Sequence, residues 1–138
     1  MPLTIRPYTS KDQDAVIALW EACGLVVPKN DPRRDIQTKI QFQADLFLVA
    51  MAEDRLVGTV MAGYEGHRGW INYLAVAPAQ RRRGIAKKMM ASAEKKLHAL
   101  GCPKINLQVR RTNTTVINFY RAIGFMEDEV ISFGKRLS

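Results

Sequence analysis

At 138 residues, with 47% hydrophobic and 25% charged positions, the chain is sized and balanced for one folded domain, residues 1–138. Such a domain buries roughly 68% of the surface of its unfolded chain, so it needs no disulfide or metal staple. No apolar run approaches the about 18–20 residues of a membrane span, and Met1-Pro2-Leu3-Thr4-Ile5-Arg6-Pro7 lacks the layout of a secretory signal, which predicts a cytoplasmic protein without a membrane partner.

In chain order, Leu3–Tyr8 reads as a strand. Ser10 then starts a helix, with Gln13 completing an S-x-x-Q capping box. Val16, Leu19, Trp20 and Cys23 follow on one helical face, and Gly24 is the stop. Leu25–Asn30 is a loop. Asp31-Pro32 opens a second helix, as a cap followed by proline at the first helical position. Ile36 and Ile40 mark its narrow apolar face, so the helix, running to about Gln43, is expected on the surface.

Three apolar runs come next, Leu46–Ala52, Leu56–Tyr64 and Trp70–Val76. Their links, Glu53-Asp54-Arg55 and Glu65-Gly66-His67-Arg68-Gly69, are hairpin length, which predicts an antiparallel meander. Pro78 closes the third run. A helix over Gly84–Leu100 carries Ile85, Met89, Ala93, Leu97 and Leu100 on one face and lysines on the other, and Gly101 ends it. Lys104–Val109 is a further strand, parallel to Trp70–Val76 because a helix crosses between them. Asn113 caps a short helix to about Ala122, Gly124 ends it, and Phe125–Leu137 is expected to supply one or two last strands. This order describes an α/β fold with a mixed, mostly antiparallel sheet, a central parallel strand pair and helices on both faces.

Cys23 and Cys102 have no CxxC spacing or histidine cluster beside them. They read as reduced core residues, with no disulfide framework and no metal site. Cys102 as a catalytic nucleophile is a weaker reading than a turn residue between Gly101 and Pro103. The net charge of +8 suits an anionic partner: nucleic acid, an acidic membrane face or a polyphosphorylated small molecule.

The most informative segment is Gln80-Arg81-Arg82-Arg83-Gly84-Ile85-Ala86, which follows a strand and opens a long helix. Amides at a helix N-terminus have no internal acceptor, and the helix dipole adds positive charge. Gly84 permits close approach to the main chain, Ala86 keeps the next turn small, and the arginines add charge-assisted donors. The segment reads as a pyrophosphate cradle, the alternative being a solvated basic loop. Neither G-x-x-x-x-G-K-S/T nor G-x-G-x-x-G is present.

Arg81-x-x-Gly84-x-Ala86 resembles the Q/R-x-x-G-x-G/A signature of the GNAT superfamily of N-acetyltransferases. Asn113-Thr114-Thr115-Val116-Ile117-Asn118-Phe119-Tyr120-Arg121-Ala122-Ile123-Gly124-Phe125 resembles the second block of that family. The element order is similar to the family fold over nearly the whole chain. The stretches 63–69 and 101–105 resemble the small stand-alone bacterial YpeA-type members.

The resemblance implies acetyl-CoA as cosubstrate, lying between the two parallel strands. It implies that the main chain of Leu74, Ala75 and Val76 pairs with the pantetheine arm. Arg81, Arg82, Arg83, Gly84, Ile85 and Ala86 hold the pyrophosphate, and Asn113 reaches the pantetheine amides, caps its helix, or does both. Tyr120 corresponds to the family's general acid, a phenol with an ordinary pKa of ~10; an aromatic core residue is the alternative. A carboxylate that many members carry near the start of the third apolar run is missing from Trp70-Ile71-Asn72-Tyr73. Glu65 and His67 are the nearest candidate bases, each otherwise an exposed turn residue. The resemblance also implies that Leu25–Gln43 forms one wall of the acceptor cleft.

The expected activity is direct acetyl transfer to a primary amine, on a small molecule or a protein, by a monomer or homodimer. A ribosomal-protein-type N-terminal acetyltransferase and a catalytically weak CoA-binding regulator are the alternatives. A basic face of arginines and lysines admits nucleic acid as a partner, but no helix-turn-helix, zinc-finger or stacking motif accompanies it.

Overall fold

The apolar runs pair into one sheet in a computed structural model that describes residues 2–138. The chain divides into two units, one ending at Leu107 and the other beginning at Gln108. In the first, strands β1 (Leu3–Pro7), β2 (Phe47–Ala52), β3 (Arg55–Tyr64), β4 (Gly69–Val76) and β5 (Ile105–Asn106) lie in that spatial order. The pairs β1–β2, β2–β3 and β3–β4 are antiparallel, and β4–β5 is parallel. The meander follows from the short links. Glu53 and Asp54 both have positive φ, 50° and 63°, the twist that suits a two-residue hairpin.

Helices α1 (Gln13–Ala22) and α3 (Ile85–Ala99) cover opposite faces. Val16, Leu19 and Trp20 of α1 pack with Phe47, Val49, Met61 and Ala75. On the other face Gly58 is so close to α3 that a Cβ there would sit 2.8 Å from the Met89 sulfur. Burial on both sides explains why β2 and the middle of β3 are apolar without alternation. The inward face of α3 is Ile85, Met89, Ala93 and Leu97 as the periodicity predicts, joined by Met90; Leu100 lies just past the helix end and is exposed.

Three expectations are corrected. The capping box of the first helix sits one residue early. Thr9 donates its N–H to Asp12 Oδ2 at 2.8 Å, and a short 3₁₀ turn over Ser10–Asp12 precedes α1. Asp12 also receives a two-pronged bond from Arg6, Nη1 to Oδ2 at 2.8 Å and Nη2 to Oδ1 at 2.9 Å, so one carboxylate ties β1 to the helix entry.

The second helix, α2 (Pro32–Ile40), starts at the expected Asp31 cap, whose carboxylate accepts from the amides of Arg33 and Arg34. It is not a purely surface helix. Ile36 is fully buried and Lys39 nearly so, while Ile40 is 43% exposed; the inward face runs through positions i and i+3, not i and i+4. Past its end, Gln43 uses both ends of its amide on β3: Oε1 accepts from Tyr64 N at 2.8 Å and Nε2 donates to Tyr64 O at 2.7 Å.

The second unit contains helix α4 (Thr114–Ala122). The last strands expected over Phe125–Leu137 do not form. Val130, Ile131 and Phe133 have strand-like side chains but are exposed, and a strand without a ladder partner has nothing to hold it extended.

Candidate functional site

The parallel ladder between β4 and β5 is short. Gly69 pairs with Ile105 and Trp70 with Asn106, and the ladder extends no further among the described residues. The rest of β4, which includes Leu74, Ala75 and Val76, continues beyond it. Six of the eight residues of β4 therefore run on past its parallel partner.

The same stretch is bulged. Opposite Thr59 and Met61 of β3 stand Ala75 and Asn72 of β4, so β4 carries one extra residue there. Tyr73, in the bulge, has φ 51°, a left-handed conformation that costs an L-residue about 1–2 kcal/mol. Three contacts hold it. Its ring stacks on Trp20 with centroids 3.8 Å apart. Its carbonyl accepts from Thr59 Oγ1 at 2.8 Å, and Thr59 Oγ1 in turn accepts from Trp20 Nε1 at 2.9 Å. Its hydroxyl donates to Asp35 Oδ2 at 2.6 Å. Burial, with the Asp35 carboxylate adding to it, raises the Tyr73 phenol well above its ordinary pKa.

The basic segment follows. A 3₁₀ turn over Pro78–Gln80 leads to Arg81, whose Nε donates to Val76 O at 3.2 Å and whose Nη2 lies 3.6 Å from the Cys23 sulfur. Arg81 thereby ties the turn to the last residue of β4. Arg82 has φ 66° and Gly84 φ 77°, and Arg83 Nη1 donates to Gln80 Oε1 at 3.1 Å. Gly84 is the N-cap of α3, and the first bond of the helix runs from Lys88 N to Gly84 O at 3.1 Å. The amides of Ile85, Ala86 and Lys87 precede it and have no intrahelical acceptor. A Cβ on Gly84 would meet nothing within 4 Å. Arg81, Arg82, Arg83 and Gly84 are exposed, Ile85 is buried and Ala86 half-buried. The result is an open, positively charged array of main-chain donors, suited to an anion.

In the turn between β3 and β4, Glu65 is exposed and its Oε1 accepts from the amides of His67 (2.5 Å) and Arg68. These bonds, that of Arg68 first, hold the Glu65 carboxyl below its ordinary pKa, which weakens it as a proton acceptor. His67 is exposed beside it. Cys102 is buried and its thiol donates to Lys104 O at 3.3 Å, which is a packing role.

In the second unit, exposed Asn113 caps α4 by accepting from Val116 N at 3.3 Å. Tyr120 is 8% exposed and meets the rings of Phe119 and Phe125 edge-on at 5.2 and 5.5 Å. Burial pushes its phenol up to about 12.

Sequence reasoning missed Asp35, Lys39, Thr59 and Tyr73. Lys39 stands three residues after Ile36, a spacing that puts both on one helix face, and that signal was available. A left-handed aromatic in mid-strand leaves no such trace.

The acetyltransferase (GNAT) family model matches residues 13–125, which take in both units. An acetyltransferase of Sodalis glossinidius is 48% identical over 136 residues, covering 98% of this chain and 96% of that protein. An acetyltransferase of Pectobacterium atrosepticum is 48% identical over 135 residues with the same coverage. Among solved structures, the aminoglycoside acetyltransferase AAC(6')-Iy in complex with a CoA bisubstrate analog matches with a TM-score of 0.82 at 21% identity, covering 99% of each chain. The PaiA N-acetyltransferase of Thermoplasma acidophilum in complex with coenzyme A matches with a TM-score of 0.79 at 21% identity, covering 95% of this chain and 94% of that one.

Proposed function

The chain belongs to the acetyltransferase (GNAT) family, and on that premise we propose that it transfers the acetyl group of acetyl-CoA directly to a primary amine. The observation that carries the reading is Gly84, left-handed, open to solvent and set at the mouth of α3 between arginines and unbonded amides. A diphosphate is the group that such a donor array accepts best. Leu74, Ala75 and Val76 lend main-chain groups to the pantetheine arm where β4 continues past its parallel partner, and Asn113 adds its amide. As in the sequence-based expectation, 1–138 works as one catalytic domain, in the cytoplasm.

The chemistry requires a neutral amine to attack the thioester carbonyl. The C–N bond forms, the C–S bond breaks, and the departing thiolate takes a proton. Tyr120 supplies that proton, since its raised pKa keeps the phenol protonated throughout the neutral range. The amine's own proton goes to His67, directly or through water, with Glu65 fixing the turn that carries it.

The engaged carboxylate of Glu65 and the acid-free start of β4 favour a second reading, a CoA-binding regulator with weak catalysis. The closing test is thermal unfolding with acetyl-CoA followed by an acceptor screen over polyamines, amino acids, aminoglycosides and peptide N-termini. At 100 times Kd the cosubstrate stabilises the fold by about 2.7 kcal/mol. Stabilisation with transfer supports the enzyme, stabilisation without transfer to any amine supports the regulator, and no stabilisation removes both.

A further inference from the structure

Between the end of α2 and the hairpin of β3 and β4 lies a cavity of about 230 Å³, whose walls include Lys39, Phe42, Tyr64, Glu65, Trp70 and Asn72. All of them belong to the first unit. The volume is below the usual range for drug-sized ligands and suits a molecule the size of an amino acid.

Its charge pattern is unusual. Lys39 is 9% exposed. An ammonium has three N–H donors, and Lys39 Nζ donates to Ala62 O. Among the described residues no carboxylate stands within 4.0 Å of it. Asp45 attracts it from further away, and burial pushes the ammonium's pKa down. Glu65, the acid on the cavity wall, is engaged with the turn amides. The Gln43 amide nearby is committed to Tyr64 at both ends. A buried cation with one neutral acceptor is costly unless an anion completes it.

The opposite wall is apolar and open. Phe42 is 58% and Trp70 37% exposed, large apolar surface at the edge of a cavity rather than scattered singly. Asn72, exposed two residues after Trp70, adds a neutral amide on the same side of the strand.

We propose that this cavity is the acceptor site, and that the acceptor is a free amino acid with an apolar side chain. Lys39 receives its carboxylate and Phe42 and Trp70 flank its side chain. This assignment rests on the acetyltransferase reading and goes beyond it by naming the acceptor class. A peptide N-terminus carries no α-carboxylate on its first residue, and a polyamine carries no carboxylate at all, so neither completes the Lys39 site as a free amino acid does.

The test compares matched acceptors: L-leucine with isopentylamine, and L-phenylalanine with phenethylamine, each pair differing by one carboxylate. The wild-type protein is expected to use the amino acids with kcat/KM at least ten-fold higher. Lys39→Met, of similar shape and without the charge, is expected to erase that difference through KM while acetyl-CoA still raises the melting temperature. Lys39→Arg is expected to keep part of it. Phe42→Ala, at a side chain more than half exposed, is expected to raise KM for L-phenylalanine several-fold more than for L-alanine.

Equal or faster transfer to the decarboxylated amines overturns the proposal, as does a carboxylate preference that survives Lys39→Met. Acetyl-CoA binding with no transfer to either amino acid also overturns it and leaves the family reading standing. A protein that acetyl-CoA does not stabilise fails at the earlier step, and both readings go.

Discussion

The Tyr73 hydroxyl donates to Asp35 Oδ2 at 2.6 Å, so a side chain of α2 is fastened to the one left-handed residue of β4. That bond ends a relay from Trp20 Nε1 through Thr59 Oγ1 to the Tyr73 carbonyl. The fully buried Thr59 hydroxyl is the hub: it accepts from one ring and donates to the other residue's main chain. Thr59→Val preserves shape and strips the hub of both bonds. An unsatisfied buried polar group costs about 1–3 kcal/mol, and this change leaves two. The expected loss is about 2–4 kcal/mol by urea denaturation, with weaker acetyl-CoA binding as the bulge relaxes. A stability change under half a kilocalorie would mean the relay does not hold the bulge.

Asp12 makes a pH-dependent contribution to the stability of the fold. The Arg6 bond, followed by the amide of Thr9, holds its carboxyl below the ordinary value, with burial opposing. A lowered folded-state pKa means that the unfolded chain binds the proton more readily. The stabilisation is complete above the ordinary carboxyl range, near ~3.9, and is lost as pH falls through the lowered value. Asp12→Asn is expected to cost about 1–3 kcal/mol at neutral pH. Its gap from the wild type should close as pH drops from 5 toward 2, in roughly the span that carboxyl titration covers. A gap constant with pH would assign the loss to packing.

Gly84→Ala separates strain from binding. The new methyl group meets no protein atom, so the stability cost is that of a left-handed alanine, about 1–2 kcal/mol. If the main chain there approaches a diphosphate, the same methyl group obstructs it. Acetyl-CoA should then raise the melting temperature of the variant much less than that of the wild type at equal concentration. An undiminished rise would exclude Gly84 from the cradle.

Tyr120→Phe keeps the edge-on ring contacts with Phe119 and Phe125 and deletes the proton. Turnover is expected to fall by about 10²–10⁴-fold, with acetyl-CoA affinity and melting temperature nearly intact. The wild-type phenol, at about 12, stays protonated through the alkaline range in which the fold can be assayed. Tyr120 therefore contributes no alkaline fall in rate short of that value. A fall near pH 9 that vanishes in the variant would contradict both its role and its environment.

The parts of the fold that were legible are those written in periodicity and in turn chemistry. Val16, Leu19 and Trp20 mark α1, Asp31-Pro32 marks the start of α2, and the short links force the meander. The entry of α1 was misplaced because Ser10 and Gln13 fit a local pattern, whereas Asp12 answers to a distant residue, Arg6. Lys39 shares a helix face with Ile36 by its spacing, but a polar residue there breaks the apolar stripe by which an inward face is recognised. Val130, Ile131 and Phe133 suggested strands because propensity describes side chains and not the availability of a partner. Within the candidate site, the glycine and arginines before α3 could be read because a helix start follows from sequence. The Tyr73 bulge could not, since its conformation runs against its residue type and is held by three contacts from elsewhere.

Gln43 carries an implication for how the protein survives in a crowded cell. Where β2 begins, β3 runs on past it toward Tyr64, and an uncovered ribbon of that kind invites another chain to add itself. The Gln43 amide offers one donor and one acceptor, as a peptide unit does, and so impersonates the missing neighbour. Replacing it with alanine would touch no catalytic atom, yet it would leave Tyr64 open to unwanted polymerisation.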